Sequence, residues 1–361
     1  MTSLTDSIAQ WIRPEVRALS AYHVADPGGM IKLDAMENPY PWPDELVAAW
    51  LERLRGCSFN RYPDPGAAAL KVRMREVMGV PEAAQAVLGN GSDELIQMII
   101  QSVAMPGRVI MAPEPTFVMY RQIAAVAGLE FAGVPLREDF SLDRKAMFDA
   151  IDAHRPAVIF LAYPNNPTGN LFDRDSLLDI LGCAPGLVVI DEAYAPFTDA
   201  SFMGELAEHD NLLVLRTLSK MGFAGLRLGL LAGAPAWLEQ IDKTRLPYNI
   251  STINQFTGEF ALEYRDVFDR QAADIRASRA QLLAGMDRLE GLELFPSEAN
   301  FILFRVPAGR GADIFEGLKT RGILIKNLDA SSAALRDCLR VTVGMPDENA
   351  AFIAALRETL G

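Results

Sequence analysis

Five short apolar runs recur through the middle of the chain, at Arg108–Met111, Ala157–Ala162, Leu187–Ile190, Leu212–Leu215 and Leu228–Leu231, and they are mostly continuous rather than alternating. A strand with one wet face alternates apolar and polar residues, so unbroken runs imply strands covered on both faces. Stretches able to form helices separate the runs, which predicts an α/β layer built on a predominantly parallel sheet. Sheets of this kind collect ligands at the carboxyl ends of their strands, so the polar residues directly after each run are where chemistry is expected.

The flanks read differently. Leu46, Val47, Trp50, Leu51 and Leu54 recur at helical spacing between Pro43 and Arg55, with Asp44 and Glu45 at the favourable end, and Ala67–Met78 suggests a second helix. After Asn249 a long helical stretch is expected over Thr252–Leu289. Strands follow at Phe301–Phe304, Ile323–Ile325 and Leu339–Val343, then a final helix at Glu348–Leu360, which together make a small α+β unit. The first 40 residues are punctuated by Pro14, Pro27-Gly28-Gly29 and Pro39-Tyr40-Pro41 and read as an irregular arm lying across another surface. The expected division is therefore an arm over 1–42 that joins the small domain and dimer contacts, a large ligand-binding domain over 43–250, and a linking helix with a small C-terminal domain over 251–361. A chain of 361 residues, half of them apolar, can fill two such cores.

Composition removes several function classes. Cys57, Cys183 and Cys338 fit neither a disulfide framework nor a closely spaced metal motif, and His23, His154 and His209 are scattered, so no metal is expected. Met1–Arg13 lacks a basic region followed by an apolar one, and no apolar stretch approaches the roughly 18 residues of a membrane span, so the cytoplasm is the expected location. With 34 basic against 47 acidic residues the net charge is -13, which disfavours broad nucleic-acid binding and leaves small anionic substrates open. No nucleophile elbow supports a serine hydrolase.

Polar motifs follow three of the runs. Leu218-Ser219-Lys220 comes after the run ending at Leu215, with Gly222, Gly225 and Arg227 close behind. A desolvated lysine amine deprotonates readily and forms imines, whereas a solvated loop lysine does neither. Asp191-Glu192-Ala193-Tyr194 follows Ile190. A carboxylate there can pair with a protonated pyridine nitrogen, bind magnesium or cap a helix. Tyr163-Pro164-Asn165-Asn166-Pro167-Thr168-Gly169 is either a plain turn or one that aims Asn166 into a crevice. Earlier, Gly89-Asn90-Gly91-Ser92-Asp93 precedes an apolar helical stretch and offers either backbone amides to a phosphate or an ordinary helix cap.

Taken in order, Gly89-Asn90-Gly91, Asn166-Pro167-Thr168-Gly169, Asp191-Glu192-Ala193-Tyr194, Ser219-Lys220 and Arg227 resemble the cofactor framework of the class I/II aminotransferases. The likeness runs from Glu37-Asn38-Pro39 to Leu339-Arg340-Val341-Thr342-Val343-Gly344, nearly the whole chain, and is greatest to the histidinol-phosphate branch of that superfamily. The resemblance implies a fold-type I α/β architecture with a seven-stranded sheet, and pyridoxal 5'-phosphate held as a Schiff base on Lys220. It further implies that Asp191 meets the pyridine nitrogen, Asn166 and Tyr194 the phenolic oxygen, and Ser219, Arg227 and the amides near Gly91, Ser92 and Asp93 the phosphate. Phe117 would stack on the ring from a position that is commonly tyrosine, and Tyr62 would reach the cofactor phosphate of a neighbouring subunit in a homodimer.

For substrates the resemblance implies L-glutamate and imidazole-acetol phosphate, with Tyr22, Asn38, Lys326 and Arg340 as their contacts. Lys326 stands where the branch often has arginine, and lysine keeps the charge without the rigid fork. An aromatic-amino-acid aminotransferase, a decarboxylase of a phosphorylated amino acid, and an inactive cofactor-binding or interaction protein are the competing readings.

Overall fold

The computed structural model describes residues 3–21 and 24–361. Two short helices, α1 (Leu4–Trp11) and α2 (Pro14–Arg17), and a two-residue strand, β1 (Ile31–Lys32), occupy the segment expected to be irregular. The cause is local: the Ser3 hydroxyl accepts from the Asp6 amide at 3.1 Å while the Asp6 carboxylate accepts from the Ser3 amide at 3.3 Å, a capping box. Helices α3 (Asp44–Leu54) and α4 (Ala68–Val77) follow where helical spacing puts them.

The main sheet has seven strands: β2 (Gln85–Asn90), β3 (Val109–Glu114), β4 (Glu130–Pro135), β5 (Val158–Ala162), β6 (Leu187–Asp191), β7 (Leu212–Thr217) and β8 (Leu228–Gly233). Their order is β2-β8-β7-β6-β5-β3-β4. Strand β8 runs antiparallel to both neighbours, and the pairings from β7 to β4 are parallel. The sequence signals β3, β5, β6, β7 and β8 but not β2 or β4. Both unsignalled strands lie at sheet edges, where β4 in particular is half exposed and cannot show an unbroken apolar run.

The two faces explain the runs. Val158 and Phe160 join one core and Ile159 and Leu161 another, and β6 divides the same way between Val189 and Val188 with Ile190. Helices α5 (Ser92–Val103), α6 (Met119–Ala127) and α9 (Pro235–Asp242) cover the first face, while α4, α7 (Arg144–His154) and α8 (Arg174–Cys183) cover the second.

The expected single helix after Asn249 is two, α10 (Thr252–Glu263) and α11 (Arg265–Met286), broken at Tyr264. Phe260, Ala261 and Leu262 of α10 and Phe268 at the start of α11 pack into the large core, whereas Ile275, Leu282 and Met286 farther along α11 pack into the smaller one, so one stretch serves both. The smaller core lies against a four-stranded antiparallel sheet of β9 (Glu293–Leu294), β10 (Phe301–Arg305), β12 (Lys326–Asn327) and β13 (Cys338–Thr342). Helices α12 (Gly311–Thr320) and α13 (Pro346–Leu360) complete it. The strand expected at 323–325 ends sooner: β11 (Ile323–Leu324) pairs in parallel with β1, so the early segment returns to the small unit and buries Leu33 there. Among the described residues no helix is long and apolar enough to cross a membrane.

The carboxyl end of β2 lies close under β8. A Cβ on Gly229 would fall 2.8 Å from the Gly91 carbonyl carbon and 3.0 Å from Leu95 Cδ1. The substitution Gly229→Ala is therefore expected to destabilise the fold by about 1–3 kcal/mol through overpacking. Chemical denaturation of the purified variant measures this, and unchanged stability would contradict the close approach.

Candidate active site

Parallel pairing brings the ends of β5, β6 and β7 to one edge of the sheet, and each carries a polar residue. Asp191 is the last residue of β6 and is 4% exposed. Burial raises its carboxyl to about 6, against the pull of two donors that favour ionisation. The Tyr120 hydroxyl donates to Oδ2 at 2.6 Å and the Ala193 amide donates to Oδ1 at 3.0 Å.

Lys220 follows β7 on a single turn of 3-10 helix, Ser219–Met221. The turn is held from several sides. The Ser219 amide donates to Thr217 Oγ1 at 3.1 Å, the Trp42 indole N–H donates to the Gly222 carbonyl at 3.3 Å, and the Asn38 amide donates to the Met221 carbonyl at 3.3 Å. Trp42 itself stands edge-on to Phe223 and Phe268, at 5.6 and 5.7 Å between ring centroids. The half-buried lysine points its Nζ toward the Ala35 carbonyl at 3.5 Å, 5.6 Å from the centre of the Tyr194 ring. Loss of solvation, helped by the charge of Arg340, lowers its pKa to about 8.

Opposite these groups the site is built for an anion. Gly91 caps α5 at φ 84°, without a side-chain cap, so the first-turn amides at Ser92 and Asp93 start the helix at the edge of the cavity. A Cβ at Gly91 would lie 2.6 Å from Arg227 Nη2, a close approach that suits glycine at this position. Arg227 donates through Nη1 to Ser219 Oγ at 3.4 Å and pairs through Nη2 with Asp93 at 3.2 Å.

Ser92, Asp93, Phe117, Asn166, Asp191, Tyr194, Ser219, Lys220 and Arg227 thus line one cavity of about 120 Å³. Within it the Asn166 amide donates to the Tyr194 hydroxyl at 3.0 Å, which in turn donates to Met36 Sδ at 3.2 Å. Met36, Phe117 and Asn166 also border a wider cavity of about 800 Å³. Lys326 and the buried Arg340 line that second space, and Arg340 donates to Asn166 Oδ1 and, at 3.2 Å, to the Asp34 carbonyl. The small cavity offers an amine, a carboxylate, an aromatic face and an anion seat. The large one adds cations and an apolar wall.

Two residues that the resemblance names line neither cavity of this chain, Tyr62 being expected at a neighbouring subunit's. Tyr62 is 79% exposed and stacks on Tyr248 at 4.4 Å in a separate surface cleft. Asn38 lines neither cavity and instead braces the Lys220 turn, also donating to Gln271 Oε1 at 2.9 Å. Tyr22 lies outside the described residues. Sequence reasoning missed Met36 and Tyr120. Met36 adjoins Glu37-Asn38-Pro39 and Tyr120 lies one helical turn beyond Phe117, but neither position reveals its contact without the fold.

With a pKa near 8 the Lys220 amine becomes neutral as pH rises through that value, well below an ordinary lysine. Acylation of Lys220 in the ligand-free protein, followed by peptide mass spectrometry, should have its midpoint near pH 8. Reactivity that develops only above about pH 10, as for an ordinary lysine, would contradict a desolvated amine.

The model of the family described as aminotransferase class I and II matches residues 28–356. A histidinol-phosphate aminotransferase 2 of Nitrosococcus oceani is 58% identical, with 98% of each chain covered. A histidinol-phosphate aminotransferase of Chromobacterium violaceum is 50% identical over 97% of this chain and 98% of its own. Among solved structures, the histidinol-phosphate aminotransferase of Sinorhizobium meliloti in complex with pyridoxal-5'-phosphate superposes with a TM-score of 0.86, at 23% identity and 97% coverage of both chains.

Proposed function

The chain belongs to the class I and II aminotransferase family, and from that premise we propose that it uses pyridoxal 5'-phosphate to move an amino group from L-glutamate to imidazole-acetol phosphate, yielding L-histidinol phosphate and 2-oxoglutarate. The observation that carries this reading is the desolvated Lys220 amine in one cavity with the buried Asp191 carboxylate and the Arg227–Ser219 anion seat.

The donor set fits the cofactor. Ser219, Arg227 and the amides around Gly91, Ser92 and Asp93 hold its phosphate, and Asp191 holds the pyridine nitrogen. Asn166 and Tyr194 serve the phenolic oxygen, and Phe117 packs on the ring. When bound, the cofactor supplies an electron sink for the pair left at the substrate's α carbon. Lys220 Nζ, neutral in part at neutral pH, takes the α proton and returns it on the other side of the transfer. Arg340 clamps the substrate carboxylate through its planar fork. Lys326, at the border of the wider cavity, serves the anionic end of the phosphorylated substrate. Tyr22 is a further substrate contact, and Asn38 bears on the substrate through the Lys220 turn it braces.

The chain works in the cytoplasm as a homodimer, each subunit's exposed Tyr62 approaching the other's anion seat. An aromatic side chain 79% exposed and already stacked on Tyr248 is well presented for that role. The proposed division into an arm (1–42), a large domain (43–250) and a linking helix with a small domain (251–361) has α10 and α11 as its tie, since α10 and Phe268 pack on the large core and Ile275, Leu282 and Met286 on the small one.

The purified holoenzyme should show a cofactor absorbance band that shifts on adding L-glutamate, and a band indifferent to glutamate would sink the transaminase reading. The variant Lys220→Ala should lose at least the 10²–10⁴-fold that a positioned general base contributes. A half-reaction panel of histidinol phosphate, phenylalanine and threonine phosphate then reads the substrate, and preference for phenylalanine would overturn the assignment.

A further inference from the structure

Tyr120 belongs to neither cavity, yet it touches the chemistry through two neighbours. It is fully buried in the first turn of α6, its ring stacked on Phe160 at 4.6 Å and 11° and standing edge-on to Phe117 at 5.5 Å. Its hydroxyl sits 2.6 Å from Asp191 Oδ2, the shorter of that carboxylate's two hydrogen bonds. A phenol held by two packed rings cannot swing away, so it fixes the rotation of the Asp191 side chain about its strand-end Cα. The Ala193 amide holds the other oxygen, and the acceptor capacity that remains belongs to a carboxylate lining the ligand cavity.

We propose that Tyr120 is the positioning residue for Asp191, its hydroxyl orienting the carboxylate and keeping it ionised for the pyridine nitrogen it would hold. The proposal rests on the reading of Asp191 as the pyridine-nitrogen partner. The physical need is specific. A buried carboxylate resists ionisation, and a neutral one cannot stabilise a protonated ring nitrogen. Around it, Asp93 and Glu192 oppose ionisation, while Lys220 and Arg227 border the same cavity. Glu192 is already engaged by Arg216, Ser201 and the Phe202 amide, and the Tyr194 hydroxyl donates to Met36. Tyr120 donates directly to Asp191.

The test is a double-mutant cycle read by cofactor affinity. Pyridoxal phosphate titrated into the ligand-free protein should bind about ten- to a hundredfold more weakly to Tyr120→Phe, the loss expected for a hydrogen bond to a charged group. In an Asp191→Asn background the same change should cost less than about threefold, because the partner is already gone. Equal weakening in both backgrounds would assign Tyr120 to packing against Phe117 and overturn the proposal.

A second measurement needs no cofactor. Infrared titration of the ligand-free protein identifies the Asp191 carboxyl signal by its absence in Asp191→Asn. Its midpoint should rise in Tyr120→Phe and fall with 3-fluorotyrosine at position 120, a better donor of nearly the same shape that also serves if the phenylalanine variant does not fold. A midpoint that does not move in either protein refutes the coupling. Wild-type protein that binds no pyridoxal phosphate would instead refute the cofactor reading, while the infrared titration would still decide the Tyr120–Asp191 link.

Discussion

Asp191 is a carboxylate at the dry end of a parallel sheet, and the site is arranged around its burial. Low solvation, reinforced by the charges of Asp93 and Glu192, raises its pKa to about 6. Two donors, the Tyr120 hydroxyl and the Ala193 amide, oppose that push at fixed positions. The same desolvation acts in the opposite sense on Lys220, drawing its pKa down toward 8. One low-dielectric pocket thus shifts an acid and an amine toward neutral pH from opposite directions, which leaves the Lys220 amine partly neutral for proton transfer and Asp191 in need of donors that keep it ionised.

This electrostatic arrangement depends on rigidity. Lys220 sits on one short turn, yet Trp42, Asn38 and the Thr217 hydroxyl all grip the backbone around it, and Trp42 is packed among Phe223 and Phe268. Residues far apart in sequence converge there: Asn38 and Trp42 from the early segment, and Gln271 and Phe268 from α11. The early segment also joins β1 to β11 and places Met36 against the Tyr194 hydroxyl. The small unit therefore contributes to the wall of a cavity whose floor is the large sheet. Arg340 of β13, donating to Asn166 beyond β5, makes the same connection from the other side.

Much of the site was legible in the chain because parallel strands put their polar successors at one edge. Asp191, Asn166 and Lys220 each follow an apolar run, and Gly91 with Ser92 precedes an amphipathic helix, so adjacency in sequence to a buried strand is itself a spatial statement. Tyr120 carried no such mark. Its partner lies 71 residues away, and a tyrosine on an apolar helical face reads as core until the facing carboxylate is seen. For Asn38 the resemblance implies a substrate role, and only the fold shows its amide bonded to Met221 and Gln271.

The sequence by itself determined the layer, because strands buried on both faces must be written as unbroken apolar runs and the helices between them follow from spacing. It carried the kind of chemistry through the resemblance of the ordered motif set, since each motif alone leaves a solvated lysine, a helix cap or a plain turn open. Tertiary structure alone decided the edge strands, β2 with a buried run of only Ala86–Gly89 and β4 half-wet without a clear pattern, and the break at Tyr264 between α10 and α11. It alone decided how far Lys220 and Asp191 shift in proton affinity, because desolvation is a property of what surrounds a group from every side, and most of those surroundings come from distant parts of the chain.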